Sequence, residues 1–143
     1  MKKNILIVSG CLILFLTGIS QLYSQDYKVI VNQDNPVSKL KRSVVSDLFL
    51  KKQDDFPDGM KALPVDLIPT HPIRGKFSDN IHKKRVRAIE AYWQQQIFSG
   101  QGVPPPVKNT EDEIIEYVLN NLGAIGYVSV SIAAPGVKEI EID

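Results

Sequence analysis

The chain has 143 residues, 17 basic and 16 acidic, for a formal charge of +1. So balanced a charge gives no general attraction to nucleic acid or to an anionic membrane. Cys11 is the only cysteine, which excludes an internal disulfide and a thiolate zinc site.

Met1-Lys2-Lys3-Asn4 is basic, and Ile5 to Ile19 is apolar except for Ser9, Gly10, Thr17 and Gly18. Polarity then rises from Ser20 to Asp26. Basic, apolar, then small and polar is the order of a secretory signal peptide. The apolar run is shorter than the roughly 20 residues that span a bilayer. Residues 1–24 are therefore expected to be a signal peptide and 25–143 an exported domain, in the periplasm or cell envelope. Ser24 is the first expected cleavage point and Ser20 the second, with an uncleaved anchor as the alternative. Val8-Ser9-Gly10-Cys11 has the form of a lipobox, which leaves a lipid anchor on Cys11 open. However, Leu12 to Leu16 continues the apolar run where a lipoprotein turns polar, so Cys11 is read as part of the signal. Without Lys2 and Lys3, 15 of the 17 basic residues remain against 16 acidic ones.

Tyr27 to Val31 reads as a strand, rich in β-branched residues and ended by Asn32 and Asn35-Pro36. Ser43 is expected to cap a short helix with Val44, Val45, Leu48 and Phe49 on one face. Asp54 to Gly59 is a polar turn; its aspartates lack the terminal glutamate of a calcium loop. Leu63, Val65 and Leu67 alternate against Pro64 and Asp66, the pattern of an edge or irregular strand.

Pro72 suits a first helical position, and Ile73, Phe77 and Ile81 then share a face. A longer helix follows with Val86, Ile89, Trp93 and Ile97 at core spacing, ended by Ser99 to Gly102. Pro104-Pro105-Pro106 predicts a stiff connection. Thr110-Glu111-Asp112-Glu113 is a capping box for a helix burying Ile114, Ile115, Val118, Leu119 and Leu122, with Gly123 as its C-terminal cap. Ala124 to Val130 reads as a buried strand and Val137 to Ile142 as a last, edge strand. Alternating strands and helices make the class α/β.

Little in the sequence points to chemistry. His71 and His82 lie eleven apart without ligand partners at metal spacing, so no metal is expected; His71 is placed at a helix start and His82 on a solvated face. No nucleophile set, catalytic residue or phosphate loop is present, and no cofactor is implied. Lys83 to Arg87 is read as a solvated basic face, not a nucleic-acid surface. Tyr92 and Trp93 are read as packing residues. The best candidate site is the turn Pro69 to Lys76, where a helix N-terminus is expected to offer free N–H groups to an anion. Thr70, His71 and Arg74 are its candidate anion-binding residues.

Several stretches in order resemble the solute-binding proteins of phosphate-type ABC transporters. They are Val29 to Asn32 with Asn35-Pro36, Leu48-Phe49-Leu50, Phe56 to Gly59, Leu63 to Asp66, and Phe77. Tyr92-Trp93, Phe98-Ser99-Gly100 with Pro104-Pro105, and Gly123 to Val128 complete them. The resemblance implies one lobe of a type II periplasmic-binding-protein fold: a small mixed, mostly parallel sheet flanked by helices. It also implies phosphate or another small anion as ligand. Two departures stand out. The domain has half the length of a two-lobed member, and Thr70-His71-Pro72-Ile73 stands where the family has Ser-Gly-Thr, with Arg74 after the turn instead of before it. The alternative is an interaction module, binding an envelope protein or a second copy, that has lost its ligand.

Overall fold

In a computed structural model, residues 26–143 are described; the expected signal peptide and Cys11 lie outside them. The centre is strand β1 (Tyr27–Asn32), in which Tyr27, Val29, Ile30 and Val31 are all buried. Burial on both faces explains its apolar run Val29-Ile30-Val31. β6 (Ala124–Ser129) lies antiparallel on one side, with Val29 opposite Tyr127. β7 (Val137–Glu139) lies antiparallel on the other, with Val31 opposite Lys138. β3 (Leu63–Pro64) adds parallel to the outer side of β6, giving the order β3-β6-β1-β7. Two short parallel pairs flank this mixed sheet. One is β2 (Lys39–Leu40) with β8 (Glu141–Ile142), the other β4 (Asp66–Leu67) with β5 (Val107–Lys108).

The stretch 137–142 forms two strands instead of one. Ile140 is buried, and its N–H donates to Val29 O at 3.0 Å, so the chain leaves one sheet for the next at that residue. Helix α1 (Arg42–Phe49) begins one residue before Ser43, and its N-cap, Lys41, makes no side-chain cap. Its inner face, Val45, Leu48 and Phe49, is buried.

Helix α2 (Pro72–Phe77) starts at Pro72 and runs into a π-helical turn, Ser78–His82. Helix α3 spans Val86–Phe98. Helix α4 (Glu111–Asn120) carries the expected capping box: the Glu113 N–H donates to Thr110 Oγ1, and Glu113 Oε2 accepts the Thr110 N–H. Glu111 Oε1 accepts from both the N–H and the hydroxyl of Ser129, tying the start of α4 to the end of β6. Ile114 and Val118 are buried as expected, but Leu119 and Leu122 are 44% and 50% exposed.

An aromatic cluster fills the core. The rings of Phe77 and Tyr127 stack at 3.8 Å, and Tyr27 and Phe49 pack around them. Gly126 leaves room for α4, since a Cβ there would lie 2.8 Å from Ile114 Cγ2. Gly123 is not a left-handed cap. The helix closes at Asn121 in an extended conformation, and Gly123 is needed because a Cβ would collide with the Lys61 carbonyl oxygen. The same close approach lets the Leu63 N–H donate to Gly123 O at 2.8 Å, docking β3 on β6. A collision with backbone has no flexible side chain to relieve it. Gly123→Ala is thus expected to cost about 2 kcal/mol or more of unfolding free energy, read from urea denaturation. A loss of only a few tenths would mean that Lys61 moves freely.

Candidate binding site

The turn before α2 is closed upon itself. The His71 N–H donates to Ile68 O and the Arg74 N–H to His71 O, both at 3.0 Å. His71 is the N-cap, and its Nδ1 accepts the Ile73 N–H at 3.4 Å. Pro72 has no N–H to give. The donors that a helix start offers an anion are thus occupied or missing. Thr70 is exposed and His71 half-buried.

Arg74, expected to add charge at this turn, points inward instead and is only 5% exposed. Its Nη1 lies 2.6 Å from Asp66 Oδ1 and donates to Leu67 O at 2.7 Å. Asp66 Oδ1 also accepts the Tyr127 hydroxyl at 2.5 Å and the Leu67 N–H at 2.9 Å. Burial pushes the Asp66 carboxyl above its ordinary value, opposed by Arg74 and by the bonds from Tyr127 and Leu67. Burial, reinforced by the neighbouring Asp66, raises the Tyr127 phenol well above its ordinary value. The structure therefore does not join Arg74 to Thr70 and His71 as an anion cradle; the guanidinium belongs to Asp66. Strand alternation gave no hint of this partner, because Pro64, Val65, Asp66 and Leu67 are all buried.

His82 is also inward, 8% exposed where a solvated ring is expected. The π-helical turn packs more residues into each turn, so Ile81 and His82 are both buried. His82 Nδ1 lies 2.9 Å from Ser46 Oγ, and the ring meets Phe77 edge-on. Burial, with Arg74, Lys52 and Lys84 adding repulsion, lowers its pKa to about 4. The folded state thus holds the neutral ring, while the unfolded chain titrates near 6.5. Stability from this residue is complete above pH ~6.5 and is lost as pH falls toward 4, by ~3 kcal/mol in full. His82→Gln, which cannot charge, is expected to show a flatter fall in urea midpoint between pH 7 and 5. Parallel slopes in the two proteins would show that His82 is not the group being titrated.

A cavity of about 220 Å³ opens beside the Asp66–Arg74 pair. Its other walls include Trp93 and Ile97 of α3, with Pro69, Pro104, Pro105 and Val107. Trp93 is 8% exposed and packs with Leu50 and Ile89, while the neighbouring Tyr92 hydroxyl donates to Leu50 O. The packing role read for these two aromatic residues is what the structure shows, yet Trp93 also faces the cavity. Two of its lining residues are themselves exposed apolar side chains, Ile97 at 54% and Val107 at 48%, and Phe98 and Val103, next to Ile97 and Pro104 in the chain, are 95% and 64% exposed. Helical spacing alone assigns Ile97 to the core, so it concealed this face. Among the described residues no group of three or more His, Cys, Asp or Glu is placed to hold a metal ion, and no helix is long and apolar enough to cross a membrane.

No protein-family model matches the sequence, and no curated protein matches it. Solved structures do. An ABC-type phosphate transport receptor from Vibrio cholerae superimposes with a TM-score of 0.65 at 18% identity, over 82% of this chain and 46% of its own. A protein from Clostridium perfringens, assigned as a phosphate ABC transporter substrate-binding protein and solved with bound phosphate, gives 0.65 at 19% identity, over 82% and 45%. PstS from Borrelia burgdorferi gives 0.64 at 10%, over 82% and 47%. The chain spans about half the length of each and has the fold of a single lobe.

Proposed function

We propose that this chain, with the fold of one lobe of a phosphate-type solute-binding protein, is an exported binding domain. It docks an envelope protein and does not capture phosphate. The observation that carries this reading is the α2 turn, where the N–H groups of His71, Ile73 and Arg74 are spent within the turn and Arg74 is committed to Asp66. A buried dianion needs many convergent donors, and a single open lobe leaves water competing for each. The apolar surface at the end of α3 supplies what docking needs. Ile97 and Val107 share the cavity wall while exposed, and Phe98 is exposed next to Ile97; exposed apolar side chains grouped in this way mark interaction sites.

A second reading, weak binding of phosphate or another small anion at the same turn, draws on the neighbour solved with phosphate. Titration of residues 25–143 with phosphate, followed through the amide resonances of Thr70 to Lys76, separates the two. Docking without phosphate capture predicts no saturable shift below about 1 mM. Saturation in the micromolar range would overturn it in favour of anion binding. The docking half is tested by photo-crosslinking from position 98 in intact cells. A discrete protein adduct that is lost with Ile97→Glu is expected, and no adduct, or one indifferent to that change, counts against docking.

A further inference from the structure

The bonds of the Asp66–Arg74 pair end on one atom of each residue. Asp66 Oδ1 accepts from Arg74, Tyr127 and Leu67, and Arg74 Nη1 donates to Asp66 Oδ1 and Leu67 O. Arg74 Nε is sealed from solvent without a partner, and among the described residues no other side-chain nitrogen or oxygen is in that condition. Asp66 Oδ2 and Arg74 Nη2 are therefore not sealed and unpartnered as Nε is. Even where these two meet each other, capacity is left over, because a carboxylate oxygen has two lone pairs and Nη2 carries two N–H bonds. Each side chain keeps 6% of its surface accessible, and both residues line the 220 Å³ cavity. The cavity wall thus offers an acceptor and a donor side by side.

The charge of the wall selects the polar end of a ligand. Asp66 cancels Arg74, and Glu90 adds a negative charge, so a bare anion meets a lining that is net negative. A bare cation meets the guanidinium, while Glu90 is exposed on α3 and its attraction is screened by water. A carboxamide carries an N–H donor and a carbonyl acceptor next to each other without either charge. The rest of the wall selects an apolar body, since Trp93, Ile97, Pro104, Pro105 and Val107 have no charge to satisfy. The volume falls below the ~300–1,000 Å³ of ordinary ligand pockets, which restricts the body to a few carbons.

We propose that the cavity between α3 and the 104–106 proline segment binds a small uncharged molecule, a primary carboxamide on an apolar body. Its N–H donates to Asp66 Oδ2, its carbonyl oxygen accepts from Arg74 Nη2, and its body lies against Trp93 and the prolines. This site goes beyond the docking reading and does not depend on it.

The probe is isobutyramide, titrated into residues 25–143 and followed through the fluorescence of Trp93, the only tryptophan. A saturable change is expected, half complete at roughly 1–10 mM, as suits a ligand of so few atoms. Isobutyrate and isobutylammonium keep the branched body but carry one charge, and each is expected to bind at least about tenfold more weakly. Ile97→Glu, at a half-exposed position where folding is not at stake, is expected to weaken isobutyramide about threefold or more. Arg74→Lys keeps the charge but loses the second guanidinium nitrogen, and is expected to cost about tenfold in protein whose near-ultraviolet circular dichroism is unchanged. No saturation below about 100 mM, equal binding of either charged analogue, or indifference to Ile97→Glu would each overturn the site. Valine ends in the same branched group with both charges present, and tighter binding of valine would overturn the uncharged assignment in favour of a zwitterion. The two readings fail separately. A protein adduct at position 98 without isobutyramide binding removes this site and leaves docking, and isobutyramide binding without an adduct does the reverse.

Discussion

A charged pair inside a small domain is expensive unless its remaining bonds are made, because both ions lose water. Here Asp66 meets that condition through a single oxygen, which accepts from Arg74, Tyr127 and the backbone of Leu67. Those partners come from α2, β6 and β4, so one carboxylate ties three elements together. The stack of Tyr127 on Phe77 is held by the same arrangement, since the Tyr127 hydroxyl is tethered at one end of the ring. The functional consequences follow from this tie. Arg74 is drawn away from the α2 turn and becomes part of the cavity wall beside Asp66.

The local signals in the sequence transferred well to the fold. Pro72 at the first position of α2, the capping box at Thr110 and Glu113, and the apolar run of β1 each rest on interactions within a few residues, so they can be read without knowing the neighbours. Features that depend on distant partners could not be read that way. Gly123 looks like a helix cap, but it is a glycine because Lys61, far earlier in the chain, passes over it. His82 sits beside Lys83 and Lys84 and reads as solvated, whereas the π-helical turn rotates it against Ser46 and Phe77. Asp66 reads as one of the residues alternating with the apolar face of its strand and Arg74 as part of the α2 turn, because strand alternation presumes one open face and β4 has none. Sequence reading therefore placed Arg74 at the α2 turn beside Thr70 and His71, whereas the structure turns it inward to Asp66.

The superpositions sharpen that point. Similarity over 82% of this chain but less than half of each neighbour gives the lobe its architecture and leaves its ligand open. A cleft between two lobes shields an anion from water on both sides, whereas a single lobe offers an open face. On such a face an apolar surface is worth more than a set of backbone donors, because its contribution grows with the area covered and does not need complete enclosure. The exposed end of α3 is consistent with that economy.

The order of pairing in the main sheet also bears on how the chain comes to be folded at all. β1 hydrogen-bonds on one side to β6 and on the other to β7, both roughly a hundred residues downstream. Such distant pairing makes for slow folding, since a long loop must close before any contact repays it. The first strand therefore has no sheet to join while the rest of the chain is still being made. A chain of this topology cannot complete its main sheet until β6 and β7 have been made, so its most buried strand is the one that waits longest for its partners.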